Sequence, residues 1–335
     1  MSNIHQEIEQ FQFRNLHPHI SLGTASDRYA GWIGQVYSAR RYGNRTSRRP
    51  KTVRGKKFEE EVLPVESVAE YFEHFPVLEL DFTFYGPLLN KAGKATSTYR
   101  TLAAYTPHLK KQDRLILKVP QFVFAKKLRR GGGFVENDQY LHPETFVRQF
   151  YEPARGMLDG WLKGFIFEQE YQRKQDRPFA TQMAEDLDAF FEAVPKDNRY
   201  HVELRTEAFL KAPVFRVLEK HGVGQVLSHW TWLPSLAHQF GLSGRKFFNA
   251  GGEAVMRLMT PRGMRYEEAY AKAHPFNALV DGMLAPGMID DTLQLMQEAL
   301  ARETGINVII NNRTGGNAPL IARRIANQFL GMLPG

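Results

Sequence analysis

Short apolar runs of strand length recur along the chain, and between most of them lie longer segments in which apolar residues return every three or four positions. Eight runs stand out: Ile20–Thr24, Val77–Phe82, Leu115–Val119, Gly164–Gln169, Tyr200–Arg205, Gln225–His229, Val255–Met259 and Ile306–Asn311. Helices are predicted over Val65–His74, Thr98–Leu109, Pro143–Leu162, Thr181–Val194, Ala208–His221, Asp290–Glu303 and Asn317–Leu333, with only a short one, Pro234–Gln239, after the sixth strand. Strands alternating with helices predict a parallel sheet, and eight such units closing on themselves make an α/β fold, a (β/α)8 barrel of the TIM type. A doubly wound open sheet would normally carry a glycine-rich turn after its first strand. Gly23-Thr24-Ala25-Ser26 lacks that spacing, and Gly131-Gly132-Gly133 neither follows a strand directly nor opens a helix. The expected organisation is an N-terminal extension over 1–19 and a single barrel over 20–333, with a basic loop insertion at 38–62 and a long loop at 262–288.

Polar positions within the strands set their register. In the second strand Glu79 and Asp81 alternate with Leu78, Leu80 and Phe82, which puts both carboxylates on one face, about 6.6 Å apart at a rise near 3.3 Å per residue. In the fifth, His201, Glu203 and Arg205 alternate with Val202 and Leu204. Apolar faces pack under helices, so the charged faces point into the barrel, where each charge must pair or bind something. Active sites of such barrels form where strands end and loops begin. The strand ends offer Thr24, Glu79 and Asp81, Lys118, Gln169 flanked by Glu168 and Glu170, Glu203 and Arg205, His229, Arg257, then Asn311 and Asn312. Glu79, Asp81, Lys118, Glu203, Arg205 and Arg257 are the catalytic candidates. Thr24, Gln169, His229, Asn311 and Asn312 are candidates for holding a ligand, with the rings of Tyr29, Trp32 and Tyr85. After the last strand, Arg313-Thr314-Gly315-Gly316-Asn317 leads into a helix, so Gly315 and Gly316 could present backbone N–H groups to an anion; a plain tight turn is the competing reading.

Zero cysteines exclude a disulfide scaffold, a thiolate nucleophile, an iron–sulfur cluster and cysteine-ligated zinc. Met1–Phe13 does not read as a secretory signal and no span approaches about 18 consecutive apolar residues, so a cytoplasmic protein is expected. The net charge is +8, unevenly spread. Nine cations and no acid lie between Arg40 and Lys57 (Arg40, Arg41, Arg45, Arg48, Arg49, Lys51, Arg54, Lys56, Lys57), and Lys126, Lys127, Arg129 and Arg130 form a second run. The rest of the chain carries 31 Lys and Arg against 36 acids, net −5. Both runs read as loops following the first and third strands, on the face expected to hold the site. There they would form a rim suited to a polyanion or a phosphorylated ligand.

Several of these segments carry a resemblance. Gly23-Thr24-Ala25-Ser26-Asp27-Arg28-Tyr29-Ala30-Gly31-Trp32, Glu79-Leu80-Asp81-Phe82-Thr83-Phe84-Tyr85, Lys118-Val119-Pro120, Gln169, Glu203-Leu204-Arg205, Arg257, and Asn311-Asn312 with Gly316, Ala318 and Ala322 resemble the YecE-like family, a domain of unknown function, from about Ser21 to Leu330. The resemblance implies a TIM-type barrel and no established reaction. Members usually carry Gly-Trp in place of Ser26-Asp27, Asn in place of Asp81, Asp in place of His229 and His-Gly in place of Met259-Thr260. Those departures imply a divergent member with altered ligand preference.

Three functions compete. In the first, the mouth binds or hydrolyses a phosphate-bearing polyanion such as nucleic acid, with Glu79, Asp81 or Glu203 as base and the cations offsetting charge on phosphate. His201 and His229 with oxygen ligands would suit Mg or Mn, but no dense His array appears, and no cofactor or metal site is assigned. In the second, the protein is a sugar or sugar-phosphate lyase, isomerase or glycosidase; Arg257 on strand seven counts against a glycosidase, whereas Lys118 could form a Schiff base. In the third, it is a noncatalytic adaptor docking on RNA or an acidic protein. No membrane partner is expected, and the oligomeric state is open.

Overall fold

The computed structural model describes residues 2–131 and 133–332, apart from the side chains of Ser2 and Arg130. Gly132, the side chain of the rim candidate Arg130 and the expected helix end at Leu333 therefore lie outside what is described. Eight parallel strands close into a barrel: β1 (Ile20–Ala25), β2 (Val77–Leu80), β3 (Arg114–Lys118), β4 (Leu162–Glu168), β5 (Tyr200–Glu203), β6 (Gly224–His229), β7 (Glu253–Leu258) and β8 (Gly305–Ile310). Closure comes from β1, which pairs with β2 on one side and β8 on the other. The fold is thus the expected (β/α)8 barrel, each strand lying within two residues of its predicted ends.

Strand alternation sorts the side chains. Outward residues such as Leu78, Leu117, Phe165 and Phe167 join the main apolar core under the helices. Inward residues form three layers, seen most simply on β7, where Glu253, Val255 and Arg257 are spaced by two. In the lowest layer Glu253 accepts from Lys163 at 2.5 Å and from Asn307 at 2.9 Å, while the His201 ring meets the Glu253 carbonyl at 3.3 Å. The middle layer is apolar, built from Val77, Ile116, Ile166, Val226, Val255 and Ile309. The top layer is ionic. The N-terminal segment, with a helix over Ser2–Glu9, packs at the opposite end, where the Phe13 ring lies 4.9 Å from that of Phe75.

The two basic segments are not loops. After a short helix, Ala39–Tyr42, the chain forms an antiparallel hairpin of Ser47–Val53 with Lys56–Val62. Its turn residues Arg54 and Gly55 have φ of 46° and 80°, both positive as the tight two-residue turn matching strand twist requires. The second run folds likewise, Lys127–Arg130 pairing with Gly133–Glu136. The 262–288 segment is no plain loop either: it contains a helix, Tyr266–Ala273, and the next helix already begins at Pro286. Val53 and Phe58 of the first hairpin pack on that inserted helix, with Phe58 5.0 Å from Tyr270, and the Tyr270 hydroxyl donates to Glu60 at 2.7 Å.

Candidate functional site

The ionic layer is a closed set of three cations and three carboxylates at the C-terminal mouth. Arg257, fully buried on β7, donates from Nε and Nη2 to both oxygens of Glu79 on β2, at 2.7 and 2.6 Å. Its Nη1 donates to Glu203 on β5 and, at 3.2 Å, to Glu168 at the end of β4. Glu168 also pairs with Lys118 on β3 and, at 2.7 Å, with Arg205, which lies 3.4 Å from Glu203 as well. Arg257 is locked beneath, whereas Lys118 and Arg205 keep an edge toward solvent. Phe84 lies 3.9 Å from the Lys118 ammonium and Trp230 lies 5.1 Å from the Arg205 guanidinium, both at cation–π range.

Protonation follows from this pairing. Burial pushes the Glu79 carboxyl up, and Arg257 offsets this in part. Burial would also raise Glu168, but Arg205, Lys118 and Arg257 together hold it well below the usual carboxylate range. Burial lowers Lys118, against the pull of Glu168. A carboxylate held ionised by three cations is a poor general acid, and Glu79 has both oxygens committed; the paired-acid arrangement of glycosidases is not available from these two.

Five of the six catalytic candidates meet in this layer. Asp81 does not: β2 stops at Leu80, Asp81 opens a 3-10 turn over Asp81–Tyr85, and its carboxylate accepts from the Ser26 hydroxyl at 2.6 Å. Among the ligand candidates, Gln169 sits beside the layer, its Oε1 accepting from the Arg205 N–H at 3.1 Å and its Nε2 buried without a partner. His229 is buried at the end of β6, where burial first and the Arg262 charge second lower its pKa to about 4. Tyr29 and Tyr85 line a cavity beside the mouth.

The remaining candidates serve the scaffold. Gly23 and Ala25 take the inward slots of β1, so Thr24 faces outward, where its N–H donates to the Tyr71 hydroxyl at 3.0 Å. Trp32 is fully buried and its indole N–H donates to Asn312 at 3.1 Å. Asn312 also caps the last helix by accepting from the Ala318 N–H at 2.8 Å, and Asn311 accepts from the Arg313 N–H at 3.0 Å. The Gly315–Gly316 turn is not an open anion cradle. The Gly316 N–H donates to the Asn312 carbonyl at 2.6 Å, Asn317 accepts from Leu320 at 2.9 Å, and Gly315 and Gly316 are themselves covered. The tight-turn reading holds there. His201 belongs to the lowest layer, on the strand beside β6 but at the opposite end of the barrel from His229, and among the described residues no three His, Asp or Glu side chains converge as a metal site.

The basic rim is partly neutralised. The register of the first hairpin sets Arg48 opposite Glu61 and Arg49 opposite Glu60; Arg48 lies 3.3 Å from both Glu59 and Glu61, and Arg45 pairs with Glu66. Lys126 meets Asp186 at 3.1 Å, and Lys127 meets Glu136 at 3.4 Å. Among the described residues Arg40, Arg41, Arg49 and Arg129 make no ion pair. Sequence reasoning missed Glu168 as the junction of the ionic layer, and it missed the mouth aromatics Phe84, Tyr171, Trp230 and Trp232. The Tyr171 ring lies 5.8 Å from that of Trp232 and 6.1 Å from that of Trp230, tilted against both.

The family model for "Protein of unknown function DUF72" matches residues 21–332. No match is found among curated proteins. Two crystal structures of DUF72 family proteins are similar to this chain. One, from Enterococcus faecalis, has a TM-score of 0.56 at 14% identity, over 94% of this chain and 97% of that one. The other, from Thermotoga maritima, has a TM-score of 0.57 at 14% identity, over 93% and 98%. At such identity the likeness speaks for the shared barrel alone, but the family match covers nearly every described residue from β1 onward. The chain therefore belongs to the DUF72 family of proteins of unknown function, a membership that the YecE-like motifs implied.

Proposed function

We propose that the C-terminal mouth of the barrel binds single-stranded nucleic acid. The observation that supports this most is where the exposed rings lie. Tyr85, Phe134, Tyr171, Phe179, Trp232 and Tyr266 are each at least 40% exposed, and all follow barrel strands on the mouth face. Among the described residues no other Phe, Tyr or Trp is that exposed. Rings left in water on one face suit a ligand that stacks, and each base on an aromatic contributes about 1–3 kcal/mol. Arg40, Arg41, Arg49 and Arg129, on the segments that follow β1 and β3, supply charges for a phosphate backbone. A labelled oligonucleotide titrated from about 50 to 200 mM salt should lose affinity steeply, and Tyr85→Ala or Trp232→Ala should weaken binding whatever the sequence. Salt-independent binding, or equal affinity for the duplex, would overturn the proposal.

Lys118 favours a second reading, a Schiff base with the carbonyl of a sugar phosphate, because burial lowers its pKa and its ammonium lies at the solvent edge of the ionic layer. Borohydride trapping that vanishes in Lys118→Ala would establish it. Absence of any trapped adduct across sugar phosphates would sink it.

A further inference from the structure

The second hairpin and the segment that follows β4 stand side by side at the mouth. The Glu170 carboxylate accepts from the backbone N–H groups of Lys126 and Lys127 at 3.0 and 3.3 Å, and the Lys127 ammonium lies 3.7 Å from Asp176. Register decides what the hairpin turns toward that neighbour. Lys127 sits opposite Glu136 and Arg129 opposite Phe134, and residues directly opposite, or two apart along one strand, share a face. Phe134 and Arg129 therefore lie on the face of Lys127, the one engaged with Asp176. Beyond it the backbone N–H groups of Asp176 and Arg177 donate to the Arg173 carbonyl at 3.0 and 3.1 Å. That turn brings Arg173 and Arg177 together and leads on to Phe179.

Charge does not cancel at this edge. Residues 127–136 and 170–179 hold six Lys and Arg against three acids. Each acid is already engaged, Glu136 and Asp176 with Lys127 and Glu170 with the two backbone N–H groups. Among the described residues Arg129, Arg173, Lys174 and Arg177 make no ion pair. Beside these charges Phe134 is 73% exposed and Phe179 86%. Two bare rings kept in water among unpaired cations mark a contact surface. The first hairpin offers charge without such a ring, since Tyr42 is buried and Phe58 packs on Tyr270. Tyr171, in the segment after β4, meets Trp230 and Trp232, so rings lead inward from the edge to the mouth.

We propose that this edge is a subsite that anchors the strand, with phosphates on Arg129, Arg173, Lys174 and Arg177 and bases stacked on Phe134 and Phe179. Interleaved cations and rings suit a polymer in which a charge and a flat ring alternate along the chain, whereas a duplex keeps its rings inside the stack. This rests on the proposal that the mouth binds single-stranded nucleic acid and adds where the strand is held.

Fluorescence anisotropy of a labelled oligothymidylate, read from about 50 to 200 mM salt, tests it against two double variants of equal charge change. Arg173→Gln with Lys174→Gln alters the subsite. Lys110→Gln with Lys111→Gln alters exposed residues ahead of β3, at the opposite end of the barrel. The first pair should weaken binding at least about tenfold near 100 mM salt and flatten the logarithmic salt slope by about 1.4, since each phosphate contact on a single strand contributes about 0.7. The second pair should change neither. Phe134→Ala with Phe179→Ala should weaken binding at every salt concentration and keep the slope. If wild type binds but the two charge variants behave alike, or the ring variant binds as wild type does, the subsite is overturned and the mouth reading stands. If wild type binds no oligonucleotide, both fall. Vesicles of phosphatidylserine and phosphatidylcholine supply the last arm. Should Arg173→Gln with Lys174→Gln abolish sedimentation with them while oligonucleotide affinity is unchanged, the edge docks on lipid and the subsite is overturned.

Discussion

Replacing Asp27 by Asn should remove a pH dependence of stability that follows from the burial of its carboxyl. Burial is the main influence on this carboxyl, and it raises the pKa from 3.8 to about 6, although the nearby Arg28 charge and the Tyr105 hydroxyl act the other way. The folded chain therefore holds the proton more tightly than the unfolded chain does. Between about pH 4 and pH 6 the folded state binds more protons, so stability must fall as pH rises through that window. Each pKa unit corresponds to about 1.4 kcal/mol, which makes the loss roughly 3 kcal/mol by neutral pH. Asn keeps an oxygen for Tyr105 and cannot ionise, but it places an amide N–H₂ where Oδ2 has no partner, an offset of about 1–3 kcal/mol at every pH. The quantity to follow is therefore the difference between wild type and variant. Urea titrations at steps from pH 4 to pH 8 should show the variant gaining roughly 2.5 kcal/mol relative to wild type as pH rises, with most of the change complete by about pH 7. A difference that stays constant over that range would mean that Asp27 does not ionise in a buried setting, and the reasoning would fail.

Other perturbations test the barrel itself. Arg257→Met leaves Glu79 and Glu203 buried without their main partner, and should cost about 3–5 kcal/mol in denaturant unfolding. Glu168 has its pKa lowered in the folded state, so its stabilisation is present above its ordinary value of 4.5 and is lost as pH falls below it. Glu168→Gln should therefore be less stable than wild type at neutral pH and lose less on acidification, which denaturation at pH 7 and pH 3 would reveal. Gly316 has φ of 110°, and a Cβ there would lie 2.3 Å from the Ala278 carbonyl oxygen. Gly316→Ala should cost at least about 1–3 kcal/mol, read as a lowered thermal midpoint.

The barrel was legible because one face of each strand is apolar and packs under helices, a local pattern that survives in the sequence. The same alternation identified Glu79, Lys118, Glu203 and Arg257 as inward. It misplaced Thr24 because a glycine, Gly23, occupies the inward slot and leaves no polar mark. Glu168 lies beside Gln169 and Glu170, and choosing among three consecutive polar residues requires knowing that Ile166 points inward, which comes from packing. The hairpins were illegible for another reason. Both are held by cross-strand ion pairs, and the first also by a helix more than 200 positions away, as in the bond between Tyr270 and Glu60. Counting charge up to Lys57 stopped just short of Glu59-Glu60-Glu61, the acids that folding sets against Arg48 and Lys51. Asp81 was assigned to a strand that ends one residue before it, since a 3-10 turn keeps the apolar spacing of Phe82 and Phe84.

The apolar middle layer of the barrel is an electrical spacer. From Glu253 at the bottom to Arg257 at the top the chain advances four residues, about 13 Å at strand rise, with Val255 and its neighbours between. At that distance two unit charges interact by roughly 1 kcal/mol even at an effective dielectric of about 20, well below the several kcal/mol of a close pair. Charges can therefore be rearranged at the mouth without unsettling the Lys163–Glu253 plug at the other end. A fold insulated in this way can change what it binds while keeping what holds it closed.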